Sequence, residues 1–310
     1  MARPICVLGN ANLDLVMGAI GAWPEPGTET FLPRSDMRIG GSAANTALVL
    51  SRLGAPNGLI SGCGSDMAGE MIADRFQGDL DRIERFSDPT GVSVGVLFED
   101  AERSFLSIDG HLAKLDLPVF LRQLKDWPLD GAIALVSGAF AMPGLLAHQE
   151  ALIDHLRLAG AEIAIDPGWP GGGWTDASRR AVRRWIGKSD HVLLNDKETC
   201  ALAGCADLPA ALDALQEGGG AGARLVVKCG ADGAICRNGR ETIRARAPRR
   251  EVFDTVGAGD AFNAGYLAAI ARDAGIATAL SAGAHVASDV IAEFPRAQTR
   301  ISLTELALAS

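Results

Sequence analysis

The sequence predicts a three-layer α/β/α protein with a mainly parallel central sheet and a second, small β-sheet. Short apolar runs, typical of buried strands, alternate with longer stretches of helical periodicity along the 310 residues. Two segments, residues 13–39 and 91–109, interrupt this alternation and show no helical periodicity. We therefore expect one domain, residues 1–310, in which the two irregular segments form a small antiparallel sheet that projects from the α/β core.

Six strands are predicted where apolar residues cluster between turn residues. They are Ile5–Leu8, Leu59–Ser61, Ile133–Ser137, Glu162–Asp166, His191–Leu194 and Leu225–Cys229. Helices are predicted between them, where apolar residues recur every three or four positions: Ala43–Leu53, Met67–Phe76, Leu145–Leu158, Ala177–Ile186 and Ala210–Gln216. In such folds ligands bind outside the carboxyl ends of the parallel strands.

The segment Gly91–Asp109 predicts a β-hairpin whose first strand has one apolar face. Alternation with period two places four apolar side chains on that face: Val92, Val94, Val96 and Phe98. A thin sheet cannot bury both of its faces alone. We therefore expect a homodimer in which the small sheets of two copies pack together.

Composition and charge argue against several classes of function. The formal net charge is −9, and the two densest arginine clusters, residues 179–184 and 244–250, are a helical face and an interrupted loop. Binding to nucleic acid or to an anionic membrane is therefore not expected. No run approaches the roughly 20 apolar residues that span a bilayer. The six cysteines show neither a C-x-x-C pair nor metal-like spacing with histidine, which predicts reduced thiols in the cytoplasm.

The stretch D-T-V-G-A-G-D-A-F-N-A-G, Asp254–Gly265, places small residues where a helix begins. Gly257, Ala258 and Gly259 let backbone N–H groups converge beside the positive end of the helix dipole, which predicts a cradle for an anion such as phosphate. Asp260 lies in the first turn of that helix. A carboxylate there either caps the helix or takes the proton of a hydroxyl that attacks the phosphorus, and the local residues leave both interpretations open.

This stretch resembles the signature of the ribokinase-like (PfkB) carbohydrate kinase family. G-G-S-A-A-N, Gly40–Asn45, resembles a second signature of the family, and N-D-K-E, Asn195–Glu198, resembles its N-x-x-E pattern. The segments G-N-A-N-L-D-L, I-S-G-C-G-S-D-M-A-G and K-C-G-A-D-G also match, in family order over nearly the whole chain. The resemblance implies a ribokinase-like fold and an ATP- and Mg²⁺-dependent kinase of a sugar, with the small sheet as a lid.

The resemblance also implies roles for individual residues. Four would bind the sugar: Asn12, Asp14, Gly41 and Asn45. Six would lie at the nucleotide: Asn195, Glu198, Lys228, Gly230, Gly233 and Thr255. Glu198 would hold Mg²⁺ through water, and Asp254 would be a ligand of a monovalent cation. The residues alone also allow plainer interpretations, because Asn195 and Glu198 can form a capping box and Gly40–Ser42 can form a turn with a helix N-cap.

The chain departs from the family pattern at two places. Ribose-specific members carry an acid after the strand that matches Ala134–Ser137, whereas this chain has Gly138–Ala139–Phe140, which disfavours ribose as the substrate. Members activated by potassium have a Gly-Ala pair near the C-terminal nucleotide loop, whereas this chain has Arg296–Ala297. The guanidinium of Arg296 is therefore expected to stand in for K⁺.

Two other functions remain open at this level. A nucleoside kinase of the same family would need a wide apolar pocket for the base, which Trp23 and Phe105 could line. A non-catalytic regulator that binds a sugar or nucleotide would have little use for Asp260 beside the cradle. Turnover of ATP with a panel of sugars and nucleosides separates these three functions.

We predict that catalytic activity depends only weakly on potassium. A guanidinium held at the cation position supplies the positive charge that K⁺ would otherwise supply. The test is the rate of ATP turnover in sodium and in potassium buffers of equal ionic strength. Strong activation on exchanging Na⁺ for K⁺ would contradict this expectation.

Overall fold

The computed structural model describes residues 2–99, 103–218, 222–293 and 301, which contain thirteen β-strands and ten α-helices. The strands are β1 (Ile5–Gly9), β2 (Asn12–Ile20), β3 (Arg34–Gly40), β4 (Asn57–Gly64), β5 (Arg82–Phe86), β6 (Val92–Phe98), β7 (Arg103–Ile108), β8 (Ile133–Ser137), β9 (Glu162–Asp166), β10 (His191–Asn195), β11 (Arg224–Lys228), β12 (Ala234–Asn238) and β13 (Glu241–Ala245). The helices are α1 (Ser42–Arg52), α2 (Met67–Arg75), α3 (Leu117–Gln123), α4 (Pro143–Leu146), α5 (Gln149–Leu158), α6 (Asp176–Ile186), α7 (Asp196–Ala203), α8 (Leu208–Glu217), α9 (Ala258–Ile270) and α10 (Ile276–Ile291).

Nine strands form one large sheet in the order β13-β12-β11-β10-β9-β8-β1-β4-β5. All neighbours from β11 to β5 are parallel, and β12 and β13 extend the sheet as antiparallel strands. Alternate residues of a strand face opposite layers: Ile5 and Val7 pack with α1, α9 and α10, whereas Cys6 and Leu8 pack with α3, α5 and α6. Both faces of the sheet are therefore covered, and the predicted α/β/α architecture is confirmed.

Every predicted strand is present, and Ile133–Ser137 and Glu162–Asp166 match residue for residue. The single helix predicted over residues 145–158 is wrong, because the structure has the separate helices α4 and α5 there. The N–H of His148 donates to the carbonyl of Leu145 at 2.7 Å, so a tight turn closes α4 before α5 begins. The apolar periodicity runs through this break and does not reveal it. No helix in the described part of the chain is long and apolar enough to span a bilayer.

The small sheet contains four strands in the order β3-β2-β6-β7. The predicted hairpin is present as β6 and β7, and its turn at residues 100–102 lies outside the described residues. The expectation of a purely antiparallel sheet is wrong, because β2 and β6 are parallel, with Leu13 opposite Val92 and Met17 opposite Val96. Between these two strands the chain passes through α1, β4, α2 and β5 of the α/β core. Such a long crossover is what joins parallel neighbours.

The register of the small sheet sorts its side chains onto two different faces. One row across the four strands is apolar and consists of Met37, Leu15, Val94 and Leu106. The neighbouring row on the opposite face is polar and consists of Arg38, Asp14, Ser93 and Ser107. We call these the apolar face and the polar face of the small sheet. On the apolar face, Met37 is 58% exposed and Leu106 is 60% exposed.

A polar network at the amino-terminal ends of β9, β10 and β11 ties the large sheet to α9. The ring of His191 lies 2.8 Å from Glu162 Oε1 through Nε2 and 2.8 Å from the hydroxyl of Tyr266 through Nδ1. Arg3 donates to Glu162 Oε2 at 2.7 Å, and Arg224 donates to Oε1 at 3.2 Å. The hydrogen bond from His191, helped by Arg3, outweighs burial and lowers the pKa of Glu162 to about 2.

We predict that Glu162→Gln lowers the free energy of unfolding at pH 7 by about 1–3 kcal/mol. The pKa of Glu162 is lower in the folded chain than the ordinary value of 4.5. Ionised Glu162 therefore stabilises the fold above that value, and the benefit is lost as the pH falls towards 2. Urea unfolding of both proteins between pH 7 and pH 3 measures the difference, which should shrink with falling pH.

The matched control is Glu150→Gln, because Glu150 pairs with Arg184 across the surface of α5 and α6. Exposed ion pairs contribute about 0–1 kcal/mol, so this variant should be close to wild type. A pH-independent loss in Glu162→Gln would contradict the proposed linkage.

Candidate active site

Helix α9 begins within a tight turn formed by residues 254–259, which we call the glycine turn. Gly257 is the N-cap and has left-handed backbone angles, φ 76° and ψ 8°, which glycine adopts without strain. The N–H of Val256 donates to Asp254 Oδ1 at 2.8 Å, and the N–H of Ala258 donates to the carbonyl of Thr255 at 3.2 Å. These bonds shape a tight turn at the end of a helix whose first N–H groups favour an anion.

The side chains of Asn45 and Asp260 meet where the first turns of α1 and α9 pack together. Asn45 Nδ2 donates to Asp260 Oδ2 at 2.9 Å, although the residues are 215 positions apart. The hydroxyl of Thr46 donates to the carbonyl of Asp260 at 3.3 Å, which adds a second link between the two helices. The structure therefore brings together two residues that the sequence assigned separately to sugar binding and to phosphoryl transfer.

Gly40 and Gly41, which precede α1, pack closely against the chain near the start of β2. A Cβ atom on Gly40 would lie 2.1 Å from Asp14 Cγ, and one on Gly41 would lie 2.5 Å from the carbonyl oxygen of Asn10. A side chain at Gly41 would therefore clash with backbone, and a side chain at Gly40 would displace the carboxylate of Asp14. Asn12 Nδ2 donates to Asp14 Oδ1 at 2.6 Å, so a donor and an acceptor side chain stand side by side on the polar face.

Lys228, at the carboxyl end of β11, forms a buried polar cluster with two residues that sequence reasoning missed. Its Nζ atom donates to Asp166 Oδ2 at 2.8 Å and to Asn263 Oδ1 at 3.3 Å, and Asn263 Nδ2 donates to the same Asp166 oxygen at 2.6 Å. Burial alone would lower the pKa of Lys228, but the carboxylates of Asp166 and Glu198 outweigh burial and raise it. The ammonium group is therefore charged.

Two signals pointed to the missed residues. Asp166 is the last residue of a predicted strand, at the edge where ligands bind. Asn263 follows Asp260 by three positions, so both lie on one face of α9. A Cβ atom on Gly259 would lie 3.3 Å from Lys228 Nζ, so the glycine lets the ammonium group approach the first turn of α9 closely.

Asn195 and Glu198 form the capping box of α7 that the residues allowed. Asn195 Oδ1 accepts from the N–H of Glu198 at 2.7 Å, and Glu198 Oε2 accepts from the N–H of Asn195 at 2.9 Å. Burial, together with the nearby carboxylate of Asp166, raises the pKa of Glu198 to about 7. Two neighbouring carboxylates, one of them resisting ionisation, make a place where a bound cation is electrostatically favourable.

No group of three or more His, Cys, Asp or Glu side chains suited to a metal ion occurs within the described ranges. The described side chains therefore do not form a complete protein cage. The donor set fits Mg²⁺, which keeps several waters and usually takes one or two carboxylates together with the phosphates of its substrate.

Two of the remaining sequence-predicted residues, Gly230 and Gly233, lie just after β11. Gly230 stands in a single 3₁₀ turn after β11. A Cβ atom on Gly233 would lie 2.0 Å from the carbonyl oxygen of Ala245, so close packing against β13 explains this glycine without a ligand. Gly138 is left-handed, and a Cβ atom on it would lie 2.0 Å from the side-chain oxygen of Asn10.

Asp254 and Thr255 contact two arginines of the small sheet. Arg38 Nη2 donates to Asp254 Oδ2 at 2.6 Å, and Arg103 donates to the hydroxyl of Thr255. Sequence reasoning missed both arginines, because nothing in their neighbourhood along the chain connects them to the glycine turn. Arg296, which was expected to replace a cation, lies outside the described residues.

Comparison with known proteins identifies the family of the chain. Residues 3–296 match the model of the pfkB family of carbohydrate kinases. A nucleoside kinase from Methanothermobacter thermautotrophicus is 28% identical over 294 residues, which cover 93% of this chain and 89% of that protein. A fructokinase from Salmonella typhimurium is 27% identical over 288 residues, which cover 88% and 86%.

A solved structure, Arabidopsis thaliana ribokinase complexed with ribose and ATP, superposes on the whole chain. The TM-score is 0.81, both chains are covered completely, and the identity is 22%, which shows a shared fold. The fold and the family match confirm the resemblance seen in the sequence. The chain belongs to the pfkB family of carbohydrate kinases and is a phosphotransferase that uses an alcohol group as acceptor.

Proposed function

We propose that the protein transfers the γ-phosphoryl group of ATP to a hydroxyl of a sugar or sugar-like alcohol, with Asp260 as general base. The observation that carries this proposal is the meeting of three features at the N-terminus of α9: the glycine turn, the charged Lys228 and the Asp260–Asn45 pair. The whole chain, residues 1–310, would act as one kinase domain. Segments 13–39 and 91–109 would serve as its lid.

The glycine turn and Lys228 would hold the phosphates of ATP. The N–H groups of Gly257, Ala258 and Gly259 at the start of α9 would stabilise the charge on the transferred phosphoryl group, and the N–H of Ala258 would exchange the carbonyl of Thr255 for a phosphoryl oxygen. Lys228 would neutralise a further part of that charge because it stays protonated. The remaining nucleotide contacts would come from Asn195, Glu198, Gly230, Gly233 and Thr255. The adenine would lie along residues 282–287 of α10.

Asp260 would take the proton of the acceptor hydroxyl as its oxygen bonds to the γ-phosphorus and the bond to the β-phosphate oxygen breaks, releasing ADP. The hydrogen bond from Asn45 fixes the orientation of this carboxylate. The Asn45 amide has a second N–H and a carbonyl oxygen, which suit the same or the next hydroxyl of the acceptor. The two side chains together would therefore select the hydroxyl that reacts.

The acceptor would lie between Asn45 and the polar face of the small sheet. Vicinal hydroxyls need both donors and acceptors, and the adjacent Asn12 and Asp14 supply one of each. Gly41 brings backbone close without a side chain in the way. Closure of the small sheet as a lid would exclude water, which otherwise competes for the phosphoryl group.

Asp166 and Glu198 are the residues that would hold Mg²⁺, largely through water. When bound, the ion supplies charge neutralisation between the β- and γ-phosphates. A monovalent cation at Asp254 is not required by this proposal, because the Asp254 carboxylate already accepts from the guanidinium of Arg38. We also propose that the guanidinium of Arg296 takes the place of K⁺.

A nucleoside kinase is the second candidate, and Phe105 is the observation that favours it. Phe105 lies opposite Gly95 on the polar-face side of the small sheet and is 42% exposed. A Cβ atom on Gly95 would lie 2.7 Å from the Phe105 ring, so the glycine makes room for it. Trp23 instead stacks on Phe98, with ring centroids 6.2 Å apart. The relative from Methanothermobacter thermautotrophicus is a nucleoside kinase.

An assay of ADP formation with a panel of sugars and of nucleosides tests both candidates. Turnover with a simple sugar supports the first proposal. Turnover only with nucleosides, together with a raised KM in Phe105→Ala, supports the second. No turnover with either class, despite tight binding of ATP, would instead support a non-catalytic regulator.

The proposed state of the protein is a homodimer joined through the apolar faces of two small sheets. Within the described ranges, Met37, Leu106 and Ile108 are each more than half exposed on that face. Burying such a patch against a second copy removes apolar area from water. All six cysteines are unpaired thiols, which suits a reducing cytoplasm where ATP is available.

We predict that Leu106→Arg converts the dimer into a monomer. The substitution places a charge at the β7 end of the apolar row, where the partner would have to desolvate it. Light scattering at micromolar concentration should give about twice the 32.3 kDa chain mass for wild type and one chain mass for the variant. The control is Leu158→Arg, on an 89% exposed residue of α5, which should stay dimeric. A monomeric wild type would overturn the proposal.

We predict that Asp260→Asn lowers kcat by roughly 10²–10⁴-fold. Asparagine keeps the size of aspartate and can still accept from Asn45, but it cannot take the proton. The KM for ATP should change little, and so should the melting temperature. The control is Asp116→Asn, which alters an aspartate that caps α3 outside the site. If Asp260→Asn keeps kcat within a few-fold of wild type, Asp260 has no part in the chemistry.

A further inference from the structure

We propose that Arg38 is a positioning residue that couples the small sheet to the glycine turn, so that binding of the acceptor and binding of ATP reinforce each other. The inference rests on the proposed kinase function for the identity of the two ligands. The coupling itself depends on contacts between the small sheet and residues 254–255.

Arg38 is held between two carboxylates. Its Nη1 atom donates to Asp36 Oδ2 at 2.9 Å, and its Nη2 atom donates to Asp254 Oδ2 at 2.6 Å. The side chains of Arg38 and Asp254 are only 13% and 3% exposed, so solvent and salt screen this pair weakly. The planar guanidinium fixes its direction in a way that an ammonium group cannot.

The carboxylate of Asp254 connects Arg38 to the backbone of the glycine turn. While Oδ2 accepts from Arg38, Oδ1 accepts from the N–H of Val256 at 2.8 Å. Val256 immediately precedes Gly257, the N-cap of α9. A displacement of β3 therefore displaces the carboxylate that shapes the turn, and with it the N–H groups proposed to hold the phosphates.

The same strand pair also carries the proposed acceptor residues. Arg38 lies directly opposite Asp14 in the β2–β3 register, and Asn12 lies opposite Gly40. A sugar bound to Asn12 and Asp14 would therefore fix the strands from which Arg38 projects. The side chain of Arg38 therefore joins the strands proposed to bind the acceptor to the turn proposed to hold the phosphates.

A second contact reaches the glycine turn from the other outer strand of the small sheet. Arg103, on β7, donates to the hydroxyl of Thr255. β3 and β7 are the two edges of the sheet, and their arginines contact consecutive residues of one turn. Two separated contacts define the orientation of the small sheet over the turn better than one contact would.

Coupling between two binding sites is reciprocal, so the acceptor and ATP should raise each other's affinity by the same factor. A purely structural ion pair predicts something different. Its loss would lower the melting temperature without a selective change in the glycine turn or in ATP affinity. The two roles are therefore separable by measurement.

The experiment compares wild type with Arg38→Met, Arg38→Lys, Asp254→Asn and the double variant of Arg38→Met with Asp254→Asn. Hydrogen exchange of the peptide covering residues 254–260 is measured without ligand. The affinity for Mg²⁺ and the non-hydrolysable ATP analogue with a β,γ-methylene bridge is measured by calorimetry. The matched control is Arg240→Met, at an exposed arginine of the β12–β13 turn.

Arg38→Met should speed exchange in that peptide and weaken binding of the analogue, each by roughly 5–100-fold. Arg38→Lys should give a smaller loss, because the ammonium group cannot bridge both carboxylates with the same geometry. The double variant should be no worse than Asp254→Asn alone, since Arg38 acts through Asp254. Arg240→Met should match wild type in both measurements.

Unchanged exchange at residues 254–260 in both Arg38 variants would overturn the proposal, as would additive losses in the double variant. If Arg38→Met does not fold, Arg38→Lys carries the same test with a smaller expected effect. A wild type that does not bind the analogue would defeat the proposed function instead. The exchange measurement would still decide whether Arg38 positions the turn.

Discussion

The packing of α1 against α9, closed by the hydrogen bond from Asn45 to Asp260, is the contact on which the site depends. Gly40, Gly41 and the polar residues at the start of β2 lie on the α1 side of this contact. The glycine turn lies on the α9 side. If the two helices separated by a few ångströms, an acceptor hydroxyl bound as proposed would no longer lie beside the γ-phosphorus. In-line phosphoryl transfer depends mainly on such positioning.

The charges of the site are distributed over different elements of the fold. Asp166 ends β9, Lys228 ends β11, Glu198 lies in α7 and Asp254 precedes α9. All three carboxylates are buried, and direct contacts of Lys228 with Asp166 and of Arg38 with Asp254 offset part of the desolvation cost of those two. The raised pKa of Glu198 indicates that an ionised carboxylate is unfavourable beside Asp166. A bound divalent cation would offset this repulsion.

Most of the large sheet was predictable because buried parallel strands are short apolar runs bounded by turns. Asp260 and Asn45 could be chosen as candidate site residues from the sequence, since both lie in local motifs at helix starts. The parallel pairing of β2 with β6 was not, because two strands of a small sheet look alike whichever direction they pair. Arg38 and Arg103 could not be assigned either: their importance comes from long-range contacts with Asp254 and Thr255, which local periodicity and spacing do not encode.

Phosphoryl transfer at the N-terminus of α9 is tested most directly by a crystal structure with Mg²⁺, ADP, aluminium fluoride and the acceptor identified by assay. Aluminium fluoride mimics the phosphoryl group in transfer. The fluoride complex should lie within hydrogen-bonding distance of the N–H groups of Gly257–Gly259, with the acceptor oxygen in line and in contact with the Asp260 carboxylate. A fluoride complex bound away from the N-terminus of α9, or an acceptor oxygen out of reach of Asp260, would contradict it.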